Sequence, residues 1–295
     1  MHMQVQERSH RLEKIIAVIA LVGVLVLAIG FAEAVEPKKT AKNSEEVFLR
    51  SQVVLVQDAK SGETLLAKNQ SAVLPIASIT KLMTAVVMLD AHLNMEQRVA
   101  ISDEDYDFVK GTRSRLRPGT VLTRQELLLL ALMSSENRAA HSLGRTYPGG
   151  TDAFVKAMNA KAAKLGMADS HFVDPTGLSP QNVSSARDLA RLVAAAHEYP
   201  LIRQFSTQES AKVQALGREL GFRNTNGLVR NAQWDIGLSK TGYISEAGRC
   251  LVMRVKMQSR DVIVVLLDSW GKFSRIGDAN RIKKWLETNG AGRRV

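Results

Sequence analysis

Strand-like text stands near both ends of the sequence and helix-like text between, and that order leaves few folds open. Val53-Val54-Leu55-Val56 is β-branched and apolar, Asp58-Ala59-Lys60-Ser61-Gly62 carries turn residues, and Thr64-Leu65-Leu66-Ala67 returns, a hairpin pattern. Pro75 leads into Ser78, after which Leu82, Ala85, Val86 and Leu89 recur at helical spacing. Thr123 stands three residues before Glu126, the spacing of a capping box, ahead of the apolar run 127–133. Residues 151–165 and 186–196 also read as helices, the second with Ser184 or Ser185 as its cap. Residues 236–240, 250–257 and 262–267 read as short strands, joined by turns that carry Gly248 and Ser259-Arg260. Residues 276–286 form a last helix before Gly290. Strands, then helices, then strands predict an α+β fold whose sheet is made from both ends of the chain, with a helical insertion between them.

The first residues belong to something else. Arg8, Arg11 and Lys14 precede an unbroken apolar stretch, residues 15–31, and Ala32-Glu33-Ala34 gives the small-x-small pattern of a cleavage site. The stretch is shorter than the roughly 20 residues of a spanning helix. The expectation is a signal peptide over residues 1–34, with an uncleaved anchor as the other reading; both place the rest of the chain outside the cytoplasm. Residues 35–46 are basic and polar and contain Pro37, so a flexible linker is expected there. The folded domain is then 47–289, with residues 290–295 as a disordered tail.

Composition excludes several classes. The single cysteine, Cys250, permits no intramolecular disulfide, and its place in an apolar run reads as a buried structural thiol. The six histidines show no ligand spacing, so neither a metal nor another cofactor is expected. A net charge of +11 favours anionic partners. Lysine and arginine are nevertheless spread through the chain and aromatic residues make up only 5%, which gives nucleic-acid binding little support.

Three short pieces carry chemistry. Ser78-Ile79-Thr80-Lys81 opens a helix, where positions three apart share a face, so Ser78 and Lys81 can meet. A serine hydroxyl needs an adjacent base, and a lysine serves once burial or a nearby cation removes its proton. Alone, the piece is equally an N-cap. Ser135-Glu136-Asn137 follows the helix 127–133 and offers a hydroxyl and an amide, or merely a polar loop. Lys240-Thr241-Gly242 ends the strand 236–240, where a lysine and a hydroxyl can bind a carboxylate and a glycine admits a substrate backbone, or else it is an ordinary charged strand end. In this order and in these settings the three match the motif set shared by penicillin-binding proteins and class A β-lactamases.

On these motifs the sequence resembles the low-molecular-mass penicillin-binding proteins, the D-alanyl-D-alanine carboxypeptidase and endopeptidase family, over about residues 53–286. Phe172-Val173-Asp174-Pro175-Thr176-Gly177-Leu178, Ser184-Ser185-Ala186-Arg187-Asp188-Leu189-Ala190 and Asn224-Thr225-Asn226 resemble family blocks outside the active site. Lys110-Gly111-Thr112, the run 134–140, Tyr147-Pro148-Gly149-Gly150 and Lys240-Thr241-Gly242-Tyr243-Ile244 are similar to the endopeptidase branch, that of penicillin-binding protein 7. The resemblance implies a β-lactamase/transpeptidase-like fold, an antiparallel sheet flanked by helices with a mostly helical subdomain. It implies that Ser78 forms an acyl-enzyme and Lys81 takes its proton. Ser135 would relay a proton to the leaving amine, and Asn137 would bind substrate and help hold Lys81. Lys240, Thr241 and Gly242 would meet the substrate, and the N–H groups of Ser78 and Tyr243 would form an oxyanion hole. The implied substrate is cross-linked peptidoglycan, cut at D-alanyl–meso-diaminopimelate bonds, with β-lactams as acylating inhibitors. D,D-carboxypeptidase is the nearest rival and an inactive peptidoglycan-binding protein another; no match to a class A deacylating glutamate supports a β-lactamase. The chain stops soon after the last sheet-and-helix unit, without the C-terminal β-domain and amphipathic anchor of typical carboxypeptidases. The implied setting is therefore the periplasm, with the enzyme soluble or loosely attached to the inner membrane.

Overall fold

A computed structural model of the chain describes residues 47–290 apart from residue 259. The expected signal peptide, linker and last five residues lie outside the described residues. In chain order the strands are β1 (Ser51–Asp58), β2 (Thr64–Lys68), β3 (Leu74–Pro75), β4 (Arg98–Ala100), β5 (Val121–Thr123), β6 (Val183–Ser184), β7 (Ser210–Ala215), β8 (Arg218–Arg223), β9 (Asp235–Ile244), β10 (Gly248–Met257) and β11 (Arg260–Ser269). The helices are α1 (Thr80–Asp90), α2 (Arg124–Met133), α3 (Asn137–Arg145), α4 (Gly150–Lys164), α5 (Ala186–His197), α6 (Pro200–Thr207) and α7 (Ser274–Gly290). The last helix takes in Gly290, which the sequence assigns to the tail. No described helix is long and apolar enough to cross a membrane.

Five strands form one antiparallel sheet in the order β2-β1-β11-β10-β9. Strand β1 lies against β11, so the two ends of the domain close the sheet on each other, as the element order predicts. The central strands are apolar at successive positions because both faces are covered. Val53, Leu55, Val252, Ile263 and Val265 face the helical body, whereas Val54, Val56, Leu251, Val262 and Val264 face α7 through Ala279, Ile282 and Leu286. With a two-residue period, an unbroken apolar run fills both layers. Each such side chain contributes about 1.5–3 kcal/mol by leaving water.

Helix α1 is the axis of the helical body. All nine residues from Thr80 to Met88 are buried, so this stretch turns no face to water and its polar Thr80, Lys81 and Thr84 are enclosed. The helices α2 to α6 pack around it or against the sheet. Thr123 caps α2 through the expected box, accepting from the Glu126 N–H while the Glu126 carboxylate accepts from the Thr123 N–H. Ser185, rather than Ser184, caps α5. One expectation needs correction: Lys240-Thr241-Gly242 does not end its strand. Strand β9 continues to Ile244, so the three residues lie within it. It is also the outer strand of the sheet, and one of its long edges is unpaired.

Candidate active site

Ser78 sits on a tight 3-10 turn, Ala77–Ile79, that leads into α1. The turn is strained at Ala77, whose φ is +47°. The Ala77 carbonyl accepts the Thr80 hydroxyl at 2.8 Å, and Gly177 packs so close that a Cβ there would stand 1.9 Å from that oxygen. These contacts hold the turn. Ser78 is left partly exposed, and Lys81, one helical turn on, is fully buried.

Lys81 Nζ has three oxygen neighbours: Ser78 Oγ at 2.8 Å, Asn137 Oδ1 at 2.7 Å and the Thr176 carbonyl at 2.6 Å. Burial pulls its pKa from 10.5 down to about 7, against the opposing pull of Asp174, Glu136 and Asp107. A neutral amine has two N–H groups and one lone pair. The amide and carbonyl oxygens can only accept, so they take the two N–H groups. The lone pair is then left facing the Ser78 hydroxyl, which is the arrangement of a general base.

Ser135 lies between α2 and α3 in a left-handed conformation, φ +60°, that non-glycine residues seldom adopt. The kink returns the Glu136 N–H to the Leu130 carbonyl at 3.1 Å and starts α3 at Asn137. Across the cleft, Lys240 Nζ donates to Ser135 Oγ and to the Thr241 carbonyl, each at 2.8 Å. Lys240 is also buried. Burial first, and then the charges of Lys81 and Arg275, hold its pKa well below the usual lysine value. Gly242 faces the turn that carries Ser78, and a Cβ there would stand 2.9 Å from the Ile76 carbonyl and 3.2 Å from the Ser78 nitrogen. Tyr243 is 57% exposed, with the Arg249 guanidinium 4.6 Å from its ring centroid.

The structure thus brings Ser78, Lys81 and Asn137 into one cluster and Ser135 with Lys240 into a second contact. It also draws in blocks that the resemblance puts outside the active site. The Thr176 carbonyl is a direct partner of Lys81. Asp174 fixes that carbonyl by accepting from the N–H groups of Thr176, Gly177 and Ser179, the Thr176 hydroxyl and the Asn182 amide, at 2.5–3.0 Å. Thr225 accepts the Thr241 hydroxyl at 2.6 Å, and Thr112 accepts the Asn137 amide N–H at 2.9 Å. The signal for the first was Asp-x-Thr-Gly, a sequence suited to an Asx-type turn. Cys250 is fully buried, and burial pushes its thiol up to about 12, as a structural cysteine requires.

Comparisons with known proteins give the family and the fold. The profile of the D-alanyl-D-alanine carboxypeptidase family matches residues 38–271. A D-alanyl-D-alanine endopeptidase of Pseudomonas aeruginosa is 47% identical over 90% of this chain and 86% of its own. Its counterpart in Escherichia coli is 45% identical, with the same coverage of each chain. Among solved structures, a Streptomyces DD-transpeptidase superposes with TM-score 0.75 at 26% identity, covering 81% of this chain and 97% of the other. A Mycobacterium tuberculosis D-alanyl-D-alanine carboxypeptidase gives 0.74 at 27%, covering 85% and 95%. The fold is accordingly the penicillin-binding, transpeptidase-like one, and the chain belongs to the D-alanyl-D-alanine carboxypeptidase family of serine D,D-peptidases.

Proposed function

We propose that the chain cuts D-alanyl–meso-diaminopimelate cross-links of peptidoglycan through an acyl-enzyme on Ser78. The observation that carries the chemistry is Lys81 Nζ, 2.8 Å from Ser78 Oγ and flanked by two oxygens that can only accept, which leaves the lone pair of the neutral amine for the Ser78 hydroxyl. Lys81 Nζ takes the Ser78 hydroxyl proton as Oγ bonds to the D-alanyl carbonyl carbon. The N–H groups of Ser78 and Tyr243 stabilise the oxyanion; Gly242, seated against the Ser78 nitrogen, is what lets the two strands of backbone approach so closely. The C–N bond then breaks. The leaving nitrogen takes a proton from the Ser135 hydroxyl, which is refilled from Lys81. Lys240 stabilises Ser135 Oγ in that step. Water next attacks the ester, Lys81 again takes the proton, and Ser78 is released. Lys240, Thr241 and the open edge of β9 receive the extended peptide, adding it as a further strand. Asn137 holds Lys81 on one side and meets substrate on the other.

The choice of the endopeptidase reaction rests on the relatives at 45% and 47% identity, which carry that name. Carboxypeptidase relatives stand at 28–30%. The N-terminal segment exports the domain to the periplasm, where the surplus positive charge favours anionic envelope polymers and a loose hold on the inner membrane. β-Lactams acylate Ser78 as mimics of the D-alanyl peptide.

Intact-mass measurement after incubation with penicillin tests the nucleophile: wild type gains one adduct and Ser78→Ala none. An adduct on the alanine variant would sink the assignment. Chromatography of purified muropeptides tests the reaction. Cross-linked dimers become monomers under the endopeptidase reading, whereas conversion of pentapeptides to tetrapeptides alone would make the enzyme a carboxypeptidase.

A further inference from the structure

We infer that Thr112, held by Asp107, is a positioning residue that sets which way the Asn137 amide points and thereby keeps Lys81 a usable base. The inference rests on the reading of Lys81 and Ser78 given above. An asparagine amide can face Lys81 with its oxygen or, after a half turn, with its nitrogen. Only the oxygen accepts a Lys81 N–H and leaves the lone pair free for Ser78. The nitrogen would instead donate to that lone pair and block it.

Three linked hydrogen bonds decide the orientation. Asp107 Oδ2 accepts the Thr112 hydroxyl at 2.6 Å and the Thr112 N–H at 2.9 Å, while Oδ1 accepts the N–H groups of Val109 and Lys110 at 2.9 and 2.8 Å. Burial works against the charge of this carboxylate. Its hydrogen bonds from Thr112, Lys110 and Val109 outweigh burial and hold it below the usual range, so it is ionised and has no proton to give. The Thr112 hydroxyl proton is therefore committed to Asp107. What Thr112 Oγ1 has left is lone pairs, and its neighbour at 2.9 Å is Asn137 Nδ2. That contact is favourable only when the amide presents N–H there, which turns Oδ1 to Lys81 at 2.7 Å. The chain of donors runs in one direction: Lys81 to Asn137 and Asn137 to Thr112, then Thr112 to Asp107. On the far side of the cleft the same loop is tied down by the Lys110–Glu246 ion pair, so Thr112 is presented on a fastened segment although it is itself exposed.

The test is the rate of penicillin acylation as a function of pH in Thr112→Val, Thr112→Ser and Ser78→Ala. Valine keeps the shape and removes both hydrogen-bonding roles. The plateau rate of Thr112→Val should fall about tenfold or more, with the melting temperature unchanged because the residue is exposed. The acid limb of its profile should move to lower pH, since the Lys81 ammonium loses an acceptor. Thr112→Ser should recover the wild-type rate to within about twofold. A merely structural role would loosen the site, admit water and move the acid limb the other way, towards that of an ordinary lysine. Such a shift, or an unchanged rate and profile in Thr112→Val, would overturn the inference. If Ser78→Ala still becomes acylated, the nucleophile reading fails and the inference with it. If Ser78→Ala stays unlabelled while Thr112→Val behaves as wild type, only the inference fails.

Discussion

At the scale of single residues, the proposed mechanism depends on a lysine whose pKa burial lowers towards neutral pH. Lys81 is fully enclosed, and burial brings its pKa down to about 7, so in the proposed mechanism its protonation would set the pH range of acylation. The groups facing it are Asp174, Glu136 and Asp107, which favour its proton, and Lys240, itself driven towards neutrality by burial and by Lys81. The sign follows from the proposed role as base. Only neutral Lys81 can accept the Ser78 proton, and the neutral form predominates above its pKa. Acylation by a penicillin should therefore be near its plateau above about pH 8 and drop tenfold per pH unit well below pH 7. Stopped-flow or quench measurement of the acylation rate from pH 5 to 9 checks this. An acid limb centred near 10.5, the value of a solvated lysine, would show that burial does not activate this residue. Arginine at position 81 should be inert at every pH in that range, because a guanidinium keeps its proton.

At the scale of elements, the sequence declares some pieces openly and hides others. The sheet strands were legible because they are β-branched runs, and α2 because Thr123 and Glu126 box its start. The hairpin β7–β8 was not: its turn is Leu216-Gly217, both with positive φ, where Asn-Gly would have announced it. The end of β9 is also hidden, since Gly242 has low strand propensity and reads as a turn, yet it is held in the ladder opposite Cys250. In the site, Ser78, Lys81, Ser135, Asn137 and Lys240 stood out as side chains, whereas the Thr176 contribution is a backbone carbonyl and leaves no mark on its own residue type. What can be read in the sequence is the turn that presents it. Gly177 has φ +81° and packs its α-carbon against the Ala77 carbonyl, so two turns from distant parts of the chain interlock there. Gly177→Ala should destabilise the fold by about 3 kcal/mol or more, combining a left-handed non-glycine residue with an overlap no rotamer can relieve. Acylation should fall as well, because moving either turn displaces Ser78 or the Thr176 carbonyl. Gly217→Ala is the control. It shares a positive φ of +72° but meets nothing within 4 Å, so it should cost only about 1 kcal/mol and leave acylation intact. Equal losses in the two variants would mean that the interlock is not what makes Gly177 necessary.

At the scale of the whole molecule, the first and last strands must be held together, because strand β9, which carries Lys240 and Thr241, hangs from the sheet that they close. The clasp is Asp278 in α7. Its buried carboxylate accepts from the Arg50 N–H at 3.0 Å, the Ser51 N–H at 2.7 Å and the Ser51 hydroxyl at 2.5 Å, and it is paired with Arg281. Ser51 in turn shares a hydrogen bond of 2.6 Å with Ser269, its partner across β1 and β11. One carboxylate thus joins the start of the first strand, the end of the last strand and the C-terminal helix. Burial raises its pKa, but the hydrogen bonds from Ser51, Arg50 and Arg281 outweigh that and leave it below 3.8. The lowered value fixes the sign of the pH effect. Between the folded and unfolded pKa values the unfolded chain binds more protons. The stabilisation is therefore fully present above about pH 4 and is lost as pH falls through the folded value. Asp278→Asn keeps the size of the side chain but offers one acceptor oxygen where two are in use, and it leaves Arg281 unpaired. Denaturant unfolding at pH 7 should show a loss of about 3 kcal/mol. The gap between wild type and variant should narrow as pH falls below about 4, where the unfolded chain takes up the proton first, and should close once the folded carboxylate is protonated too. Penicillin acylation of the folded variant should keep its wild-type rate, because nothing in the Ser78 cluster touches Asp278. A gap that stayed constant down to pH 2 would show that the charge of Asp278 does not hold the clasp, and that closure of the sheet rests on the apolar layers alone.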